Sequence, residues 1–200
     1  MLSLFHAPYS RSSRFIWLLE ELCEPFELVY CDIKRQSGKG APDPSNPHPD
    51  KRVPALLHDG QLVTESAAIA LYLTDTFPSA GLGISIGAPK RAAYLTWLAY
   101  SAGEADPAYT VRSLYEGQVD PISQRDHQRV VARVSSALRL GPYLLGDQFS
   151  AADILMSAPF EWDREFAPAN PEIEDWLARI AARPAARRAA EGDEPPRTTS

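Results

Sequence analysis

The chain has 200 residues, of which 44% are hydrophobic and 23% are charged, and its formal net charge is −6. The apolar side chains suffice for a core, so the composition predicts a globular protein. The acidic balance argues against nucleic-acid binding, because that needs a basic surface to neutralise phosphates. No apolar stretch reaches the roughly 18 residues of a membrane span, so no membrane partner is expected.

Two further exclusions concern the cellular compartment and metal binding. His6, Arg11 and Arg14 interrupt any apolar core of a secretory signal, so we expect a cytoplasmic location. Cys23 and Cys31 have neither a Cys-x-x-Cys pattern nor metal-ligand spacing. We therefore expect no metal, and two reduced cysteines that serve packing.

The first part of the chain has the signals of strand, helix and strand. A β-prone run over residues 1–6 ends at a polar loop, after which apolar residues recur at helical spacing. These apolar residues are Phe15, Leu18, Leu19 and Leu22. A second short strand signal lies at Glu27–Tyr30, and the composition of residues 35–52 is typical of a loop.

The next segment predicts a hairpin followed by a helix. Pro54 lies at the start of a predicted strand, and Asp59-Gly60 supplies two residues that tolerate the positive φ of a tight turn. Glu65 and Ser66 then place a carboxylate and a hydroxyl at the N-terminus of a predicted helix. The resulting order, β-α-β and then β-β-α, is that of a thioredoxin-like domain.

The second half has helical patterns and no convincing strand. Its apolar stripes comprise Tyr94, Leu95, Trp97, Leu98 and Tyr100; Val130, Val131, Val134 and Leu138; and Ile173, Trp176, Leu177 and Ile180. We predict a first domain over residues 1–77, a linker over 78–89, an all-helical domain over 90–190 and a disordered tail over 191–200. The basic cluster from Arg179 to Arg188 is expected to be the solvated end of a helix.

Ser150 and Asp153 have the spacing of a capping box at a helix start. In such a box each side chain accepts a hydrogen bond from a backbone N–H group, so the pattern favours a structural role over a catalytic one. Replacing Asp153 with alanine should lower the stability by about 0.5–2 kcal/mol, the usual range for a lost cap.

In their order and spacing these motifs resemble the soluble, cytosolic-type glutathione S-transferases, in particular bacterial-like members of serine type. The motifs are the Pro-Tyr-Ser loop at residues 8–10, the helix over 14–22, the Val-Pro-Ala-Leu strand over 53–56, the Glu-Ser helix start and the helical second half. The resemblance covers nearly the whole chain. It implies the glutathione transferase fold, with an α/β thioredoxin-like N-terminal domain and an all-α C-terminal domain.

The resemblance implies that Ser10 is the catalytic residue. Ser10 and Arg14 reproduce the spacing between the catalytic serine of serine-type members and a residue on the first turn of the following helix. The Ser10 hydroxyl would donate a hydrogen bond to the thiolate of glutathione, which is the attacking form of a thiol. Tyr9, Ser12 and Ser13 are competitors, because a small shift in the loop would turn any of them toward the sulfur; the serines are also N-cap candidates.

The resemblance further implies how two parts of glutathione are held. A cis bond between Val53 and Pro54 would turn the Val53 backbone toward the cysteinyl part of the tripeptide. Ser66, with the N–H groups of the helix start, would bind the α-carboxylate of the γ-glutamyl end, and Glu65 would accept from its ammonium group.

The glycine end of glutathione and the second substrate each have several candidate residues. Arg52 is the first candidate for binding the glycine carboxylate of glutathione, with Lys51 and Lys39 as alternatives. Aromatic side chains suit an apolar second substrate, because they offer a large contact area with a polar group. The aromatic candidates for that pocket are Tyr9, Tyr100 and Tyr109.

The resemblance therefore implies a homodimeric transferase of detoxification type with glutathione as co-substrate, in the cytoplasmic location expected above. It would activate glutathione as a thiolate for attack on a small hydrophobic electrophile. Two alternatives stay open: a glutathione-dependent isomerase or dehalogenase of the same fold, and a non-catalytic interaction module that keeps the fold without the chemistry.

Overall fold

The computed structural model describes residues 1–114, 120–166 and 169–194. The chain divides into two compact units, one formed by Met1–Ala80 with the chain from Arg183 onward, the other by Gly81–Ala182. None of the helices in the described ranges combines the length and the apolar character that crossing a membrane requires.

Strands occur in the first unit and helices in both. The strands are β1 (Leu2–His6), β2 (Phe26–Tyr30), β3 (Ala55–His58) and β4 (Gln61–Thr64). The α-helices of the described chain are α1 (Ser13–Leu22), α2 (Ser66–Thr76), α3 (Arg91–Tyr100), α4 (Asp106–Leu114), α5 (Pro121–Leu138), α6 (Ala151–Trp162), α7 (Pro171–Ala181) and α8 (Pro184–Glu191). Short 3₁₀ turns lie at Pro78–Ala80 and Arg164–Phe166, and a π-helical turn at Ser101–Ala105 joins α3 to α4.

The sheet of the first unit has the strand order β2-β1-β3-β4. β1 pairs in parallel with β2 and antiparallel with β3, so Leu4 lies opposite both Leu28 and Leu56. Asp59 and Gly60 connect β3 to β4 with φ angles of 48° and 82°, the two positive values that a tight hairpin turn requires. The predicted thioredoxin-like order is confirmed.

The apolar face of α1 forms part of the core of the first unit. Phe15, Leu18 and Leu19 are fully buried, as the helical spacing predicts. Arg14, a charged residue of the same helix, is buried as well. Cys23 ends the helix in the left-handed region and is exposed, whereas Cys31 is buried, so the packing role expected of both cysteines is found only at Cys31.

Helix α8 packs against α1 within the first unit. The Arg183 guanidinium donates two hydrogen bonds to the Glu21 carboxylate at 2.6 and 2.7 Å, and Arg188 donates to Glu20 at 2.5 Å. The Glu21 side chain is only 9% exposed. The expectation that this basic cluster is merely the solvated end of a helix was therefore wrong, since two of its arginines tie α8 to α1.

The C-terminal segment differs from its prediction in two respects. From Arg183 onward the chain groups with the first unit, although residues 90–190 were all expected in the helical domain. Glu191 lies in α8, and Gly192, Asp193 and Glu194 form hydrogen bonds with side chains of β1, β2 and the loop after β1, so this part of the expected tail is ordered. Residues 195–200 lie outside the described residues.

The described secondary structure of the second unit is helical, with α6 at its centre, apart from two isolated β-bridges that join Tyr143 to Gly146 and Leu145 to Gln148. Every residue of α6 from Ala151 to Phe160 is buried. Both halves of the predicted capping box form at its start: Ser150 accepts from the backbone, and Asp153 accepts from the Ser150 N–H at 3.0 Å. Trp176 of α7 is fully buried and donates its indole N–H to Asp153.

Candidate active site

The loop between β1 and α1 carries the Ser10 hydroxyl at a half-exposed position. Its Oγ lies 2.7 Å from the Ala7 carbonyl oxygen and 2.7 Å from the Ser12 Oγ. The Ser12 N–H donates to the Ser10 Oγ at 3.2 Å. The Ser10 oxygen thus accepts a hydrogen bond from the Ser12 N–H. Its own O–H can donate to the Ala7 carbonyl oxygen or to the Ser12 oxygen.

Ser12 has a different environment from Ser10, because its side chain is fully buried. Its Oγ accepts from the Ala7 N–H at 3.2 Å and lies 2.8 Å from His6 Nδ1. Although Ser12 occupies the N-cap position of α1, its side chain forms no capping hydrogen bond. The N-cap role expected as an alternative is therefore not realised at Ser12, and its hydroxyl belongs to an internal network.

His6 is the residue of this loop region that the sequence did not single out. It is fully buried at the end of β1, and its Nε2 lies 2.8 Å from the Asp193 carbonyl oxygen. Burial lowers the pKa of His6, opposed by the hydrogen bond to Asp193 and by the charge of that residue. Strand alternation could have marked His6 as inward-facing, but no local signal identifies Asp193 as its partner.

Tyr9 is held outside this network. Its side chain is 74% exposed, its φ is 54°, and its hydroxyl donates to Glu194. This hydrogen bond raises the pKa of the Tyr9 phenol. The Tyr9 N–H donates to the Asp193 carboxylate at 3.0 Å. The geometry therefore favours Ser10 over Tyr9 as the hydroxyl available to a ligand.

The start of α2 brings Glu65 and Ser66 together with Arg14. Glu65 is exposed, has a φ of 67°, and makes no side-chain capping bond, so its carboxylate is available at the helix end. Ser66 is 7% exposed and accepts a hydrogen bond from the Arg14 guanidinium at 2.9 Å. The sequence marked Arg14 only by its spacing from Ser10, whereas the structure connects it to the other end of the candidate site.

The Val53–Pro54 peptide bond is cis, as the resemblance implied. Arg52 next to it is solvent-exposed, and its guanidinium lies 2.7 Å from the Asp50 carboxylate. Lys51 is directed to backbone carbonyls of its own loop, with its Nζ 2.7 Å from the Asn46 oxygen. Of these two cations, Arg52 is therefore the more accessible to an anionic ligand.

The two aromatic candidates of the second unit, Tyr100 and Tyr109, pack against different side chains of that unit. Tyr100 is 8% exposed, and the Arg133 guanidinium lies 3.9 Å from its ring centroid. Tyr109 is half-buried and packs against Trp162, with ring centroids 5.2 Å apart. Tyr109 is thus the more open of the two rings.

Among the residues that the structure describes, no group of three His, Cys, Asp or Glu side chains could hold a metal ion. Near Ser10, the His6 imidazole is hydrogen-bonded to the backbone carbonyl of Asp193, and the Tyr9 hydroxyl donates to the Glu194 carboxylate. Such hydrogen bonds can orient protons around Ser10.

Two family models match this chain. Residues 4–81 match the glutathione S-transferase N-terminal domain, and residues 92–184 match the glutathione S-transferase C-terminal domain. Among curated proteins, glutathione S-transferase 3 of Schizosaccharomyces pombe is 27% identical over 96% of this chain and 87% of its own length. Glutathione S-transferase GST-4.5 of Xanthomonas campestris is 30% identical over 70% of this chain and 72% of its own.

Solved structures agree with the sequence comparison. A glutathione transferase from Methylococcus capsulatus is 30% identical with a TM-score of 0.81, over 96% of this chain and 98% of that one. A sphingomonad glutathione S-transferase complexed with glutathione is 26% identical with a TM-score of 0.79, at the same coverage. The chain belongs to the glutathione S-transferase family and is an enzyme of that class.

Proposed function

We propose that the enzyme binds glutathione on its first unit and activates it as a thiolate for attack on a small hydrophobic electrophile. The observation that carries this proposal is the position of the Ser10 hydroxyl, half-exposed just before α1 and already accepting the Ser12 N–H at 3.2 Å. A hydroxyl whose oxygen is held by a donor can turn its own proton toward a ligand.

Two physical effects would lower the pKa of the bound thiol. A hydrogen bond from the Ser10 hydroxyl favours the charged form of the sulfur, as any hydrogen bond to a charged form does. The N-terminus of α1, which begins at Ser13, adds the positive end of the helix dipole. Both favour the thiolate, which is the nucleophile.

The rest of glutathione would be bound by the elements that follow. Ser66 and the first N–H groups of α2 suit the γ-glutamyl carboxylate, and the exposed Glu65 suits its ammonium group. The Val53 backbone would pair with the cysteinyl part, and Arg52, which is 66% exposed, would reach the glycine carboxylate. Arg14 supports this arrangement by holding the Ser66 hydroxyl.

The electrophile would be bound by aromatic side chains. Tyr109 of the second unit is the first candidate, because its ring is half-buried rather than enclosed. The other two candidates are weaker. The Arg133 guanidinium covers the ring of Tyr100, and the Tyr9 hydroxyl already donates to Glu194. Product analysis with aryl halides, epoxides and activated alkenes would separate conjugation from isomerase or dehalogenase activity.

The test is an ultraviolet difference titration of the bound thiolate across pH, using the native enzyme, Ser10→Ala and Ser12→Ala. We expect a depressed thiol pKa in the native enzyme that Ser10→Ala raises, with glutathione still bound. Binding without any thiolate absorbance would overturn the proposal and favour a glutathione-binding interaction module. A native thiolate that persists in Ser10→Ala would move the role of donor to another hydroxyl.

We also propose that the enzyme is a cytoplasmic homodimer with a role in detoxification, as its family suggests. Sedimentation of the full chain at micromolar concentration tests the assembly. A monomer under those conditions would contradict it.

A further inference from the structure

A continuous chain of hydrogen bonds links Ser10 to Asp193 through Ser12 and His6. The Ser10 and Ser12 hydroxyl oxygens are 2.7 Å apart, and the Ser12 Oγ lies 2.8 Å from His6 Nδ1. His6 Nε2 lies 2.8 Å from the Asp193 carbonyl oxygen. All three links have ordinary hydrogen-bond lengths, and all four residues belong to the first unit.

The Asp193 carbonyl determines which nitrogen of His6 carries the proton. A carbonyl oxygen only accepts hydrogen bonds, so the Nε2 of His6 must donate to it. In a neutral imidazole the other nitrogen, Nδ1, is then an acceptor, and its partner is the Ser12 hydroxyl. The Nδ1 lone pair of the buried imidazole thus accepts from the Ser12 hydroxyl, which is linked in turn to the Ser10 hydroxyl.

The same chain has a second, equally complete arrangement when His6 carries a proton on both nitrogens. Nδ1–H then donates to the Ser12 oxygen, and the Ser12 hydroxyl donates to the Ser10 oxygen. The Ser10 hydroxyl is released from its inner partners and can donate outward. Ser10, Ser12 and His6 stay connected by hydrogen bonds in both arrangements, so a proton can cross from one end of the chain to the other. The Ala7 carbonyl oxygen, 2.7 Å from the Ser10 Oγ and 3.3 Å from the Ser12 Oγ, competes for the hydroxyl protons.

We propose that His6 is the acceptor of the thiol proton of bound glutathione, acting through Ser12 and Ser10 as a positioning residue. This inference rests on the proposed activation of glutathione at Ser10. The S–H bond breaks and the sulfur keeps its electron pair; Ser10 gains the thiol proton and gives its own to Ser12. Ser12 passes its proton to Nδ1 of His6. The products are a thiolate that accepts from Ser10 and an imidazolium, with no change in total charge.

The charges around His6 suit this role. Asp193 Oδ1 lies 3.6 Å from His6 Nε2, and this buried oxygen has no hydrogen-bond partner among the described residues. The other carboxylate oxygen of Asp193 is fixed by the Tyr9 N–H at 3.0 Å. An imidazolium at His6 would therefore have a carboxylate beside it on the side away from the hydroxyls.

Two further groups face His6. Arg35 opposes a positive charge there, and the ring of Tyr30 meets the imidazole edge-on, with centroids 5.5 Å apart. The lowered pKa of His6 keeps it neutral, and so able to accept, until a thiol is bound. The negative charge that then develops at sulfur, together with Asp193, favours the imidazolium.

The test counts the protons released to solvent for each thiolate formed. Glutathione is mixed with the native enzyme in weak buffer with a pH-indicator dye, while ultraviolet absorbance reports the thiolate. S-methylglutathione, which has no thiol proton, gives the proton change caused by binding alone, and this value is subtracted. An internal acceptor predicts far fewer than one proton released per thiolate, whereas loss of the thiol proton to solvent predicts one.

Variants locate the acceptor. His6→Asn can still hold the Ser12 hydroxyl but cannot take up a proton, so we expect one proton released per thiolate and a raised thiol pKa. Asp193→Asn keeps the backbone carbonyl and removes only the charge, and should also raise the thiol pKa and increase proton release. Because Asp193 lies just after α8, this second variant decides the matter if His6→Asn fails to fold.

The outcomes are distinct. One proton per thiolate in the native enzyme overturns the role of His6 and leaves the activation by Ser10 intact. Unchanged proton release in a folded His6→Asn overturns it as well. No thiolate at all in the native enzyme would instead refute the proposed function itself.

Discussion

Asp153 accepts hydrogen bonds from three residues of the second unit, Leu144, Ser150 and Trp176. Its replacement by alanine is the sharpest test of how this unit is packed. Its Oδ1 accepts from the Leu144 N–H at 2.9 Å and from the Trp176 indole at 3.1 Å. Its Oδ2 accepts from the Ser150 N–H at 3.0 Å. The sequence indicated only the last of these, as part of the capping box.

The structure therefore raises the expected cost of Asp153→Ala. Loss of the cap costs about 0.5–2 kcal/mol. The Leu144 and Trp176 donors would also lose their partner in a buried place, at about 1–3 kcal/mol each. An opposite contribution comes from burial of the carboxyl, which raises the pKa of Asp153 to about 6. Keeping this buried group ionised at neutral pH costs about 3 kcal/mol, and alanine removes that cost. These contributions combine to a change between about −0.5 and 5 kcal/mol, and from the middle of that range we expect a net loss of about 2 kcal/mol.

Urea denaturation at pH 7 measures this loss, with Asp153→Asn as the matched variant. Asparagine keeps an acceptor for Leu144 and Trp176 but presents an amide N–H₂ to the Ser150 N–H, so it should cost less than alanine. A loss below about 0.5 kcal/mol for Asp153→Ala, less than that of a lost cap alone, would refute this account of the site.

The same carboxyl predicts a dependence of stability on pH. Its pKa is about 6 in the folded protein and about 3.9 in an unfolded chain, so between these values the folded state binds a proton that the unfolded state does not. The contribution of Asp153 to stability is then largest below about pH 4, falls as the pH rises through about 6, and is constant well above that. Asp153→Asn should lack this fall. A native-minus-variant difference that increases over this interval would show that the hydrogen bonds, not burial, dominate.

Two further predictions concern the first unit. Arg14→Gln should weaken glutathione binding several-fold, because it releases the Ser66 hydroxyl. Calorimetry measures the affinity, and Arg11→Gln, at an exposed position in the loop before α1, serves as control. Equal affinities of the two variants would contradict a role of Arg14 in holding Ser66. Arg183→Ala should lower the free energy of unfolding by about 1–3 kcal/mol, between the values for exposed and buried ion pairs, because Glu21 is almost buried. Retention of the native urea midpoint would refute that contribution.

Much of the first unit could be predicted because its signals are local. The Asp59-Gly60 turn depends on φ angles that these two residues tolerate, and the buried face of α1 follows from the spacing of Phe15, Leu18 and Leu19. The role of Ser10 was instead predicted from the resemblance that ordered motifs along nearly the whole chain bear to a family. The hairpin turn and the buried face of α1 are local features. Each of these features is decided within a few residues of chain.

The network behind Ser10 could not be predicted from the sequence. His6 and Asp193 are 187 positions apart, and Arg14 and Ser66 are 52 apart, so no periodicity or turn preference relates either pair. The docking of α8 on α1 brings Asp193 to the end of β1 and turns an expected disordered tail into a partner of His6. A hydrogen bond between distant segments depends on the packing of whole elements, because burial and not sequence neighbourhood decides which polar groups must pair.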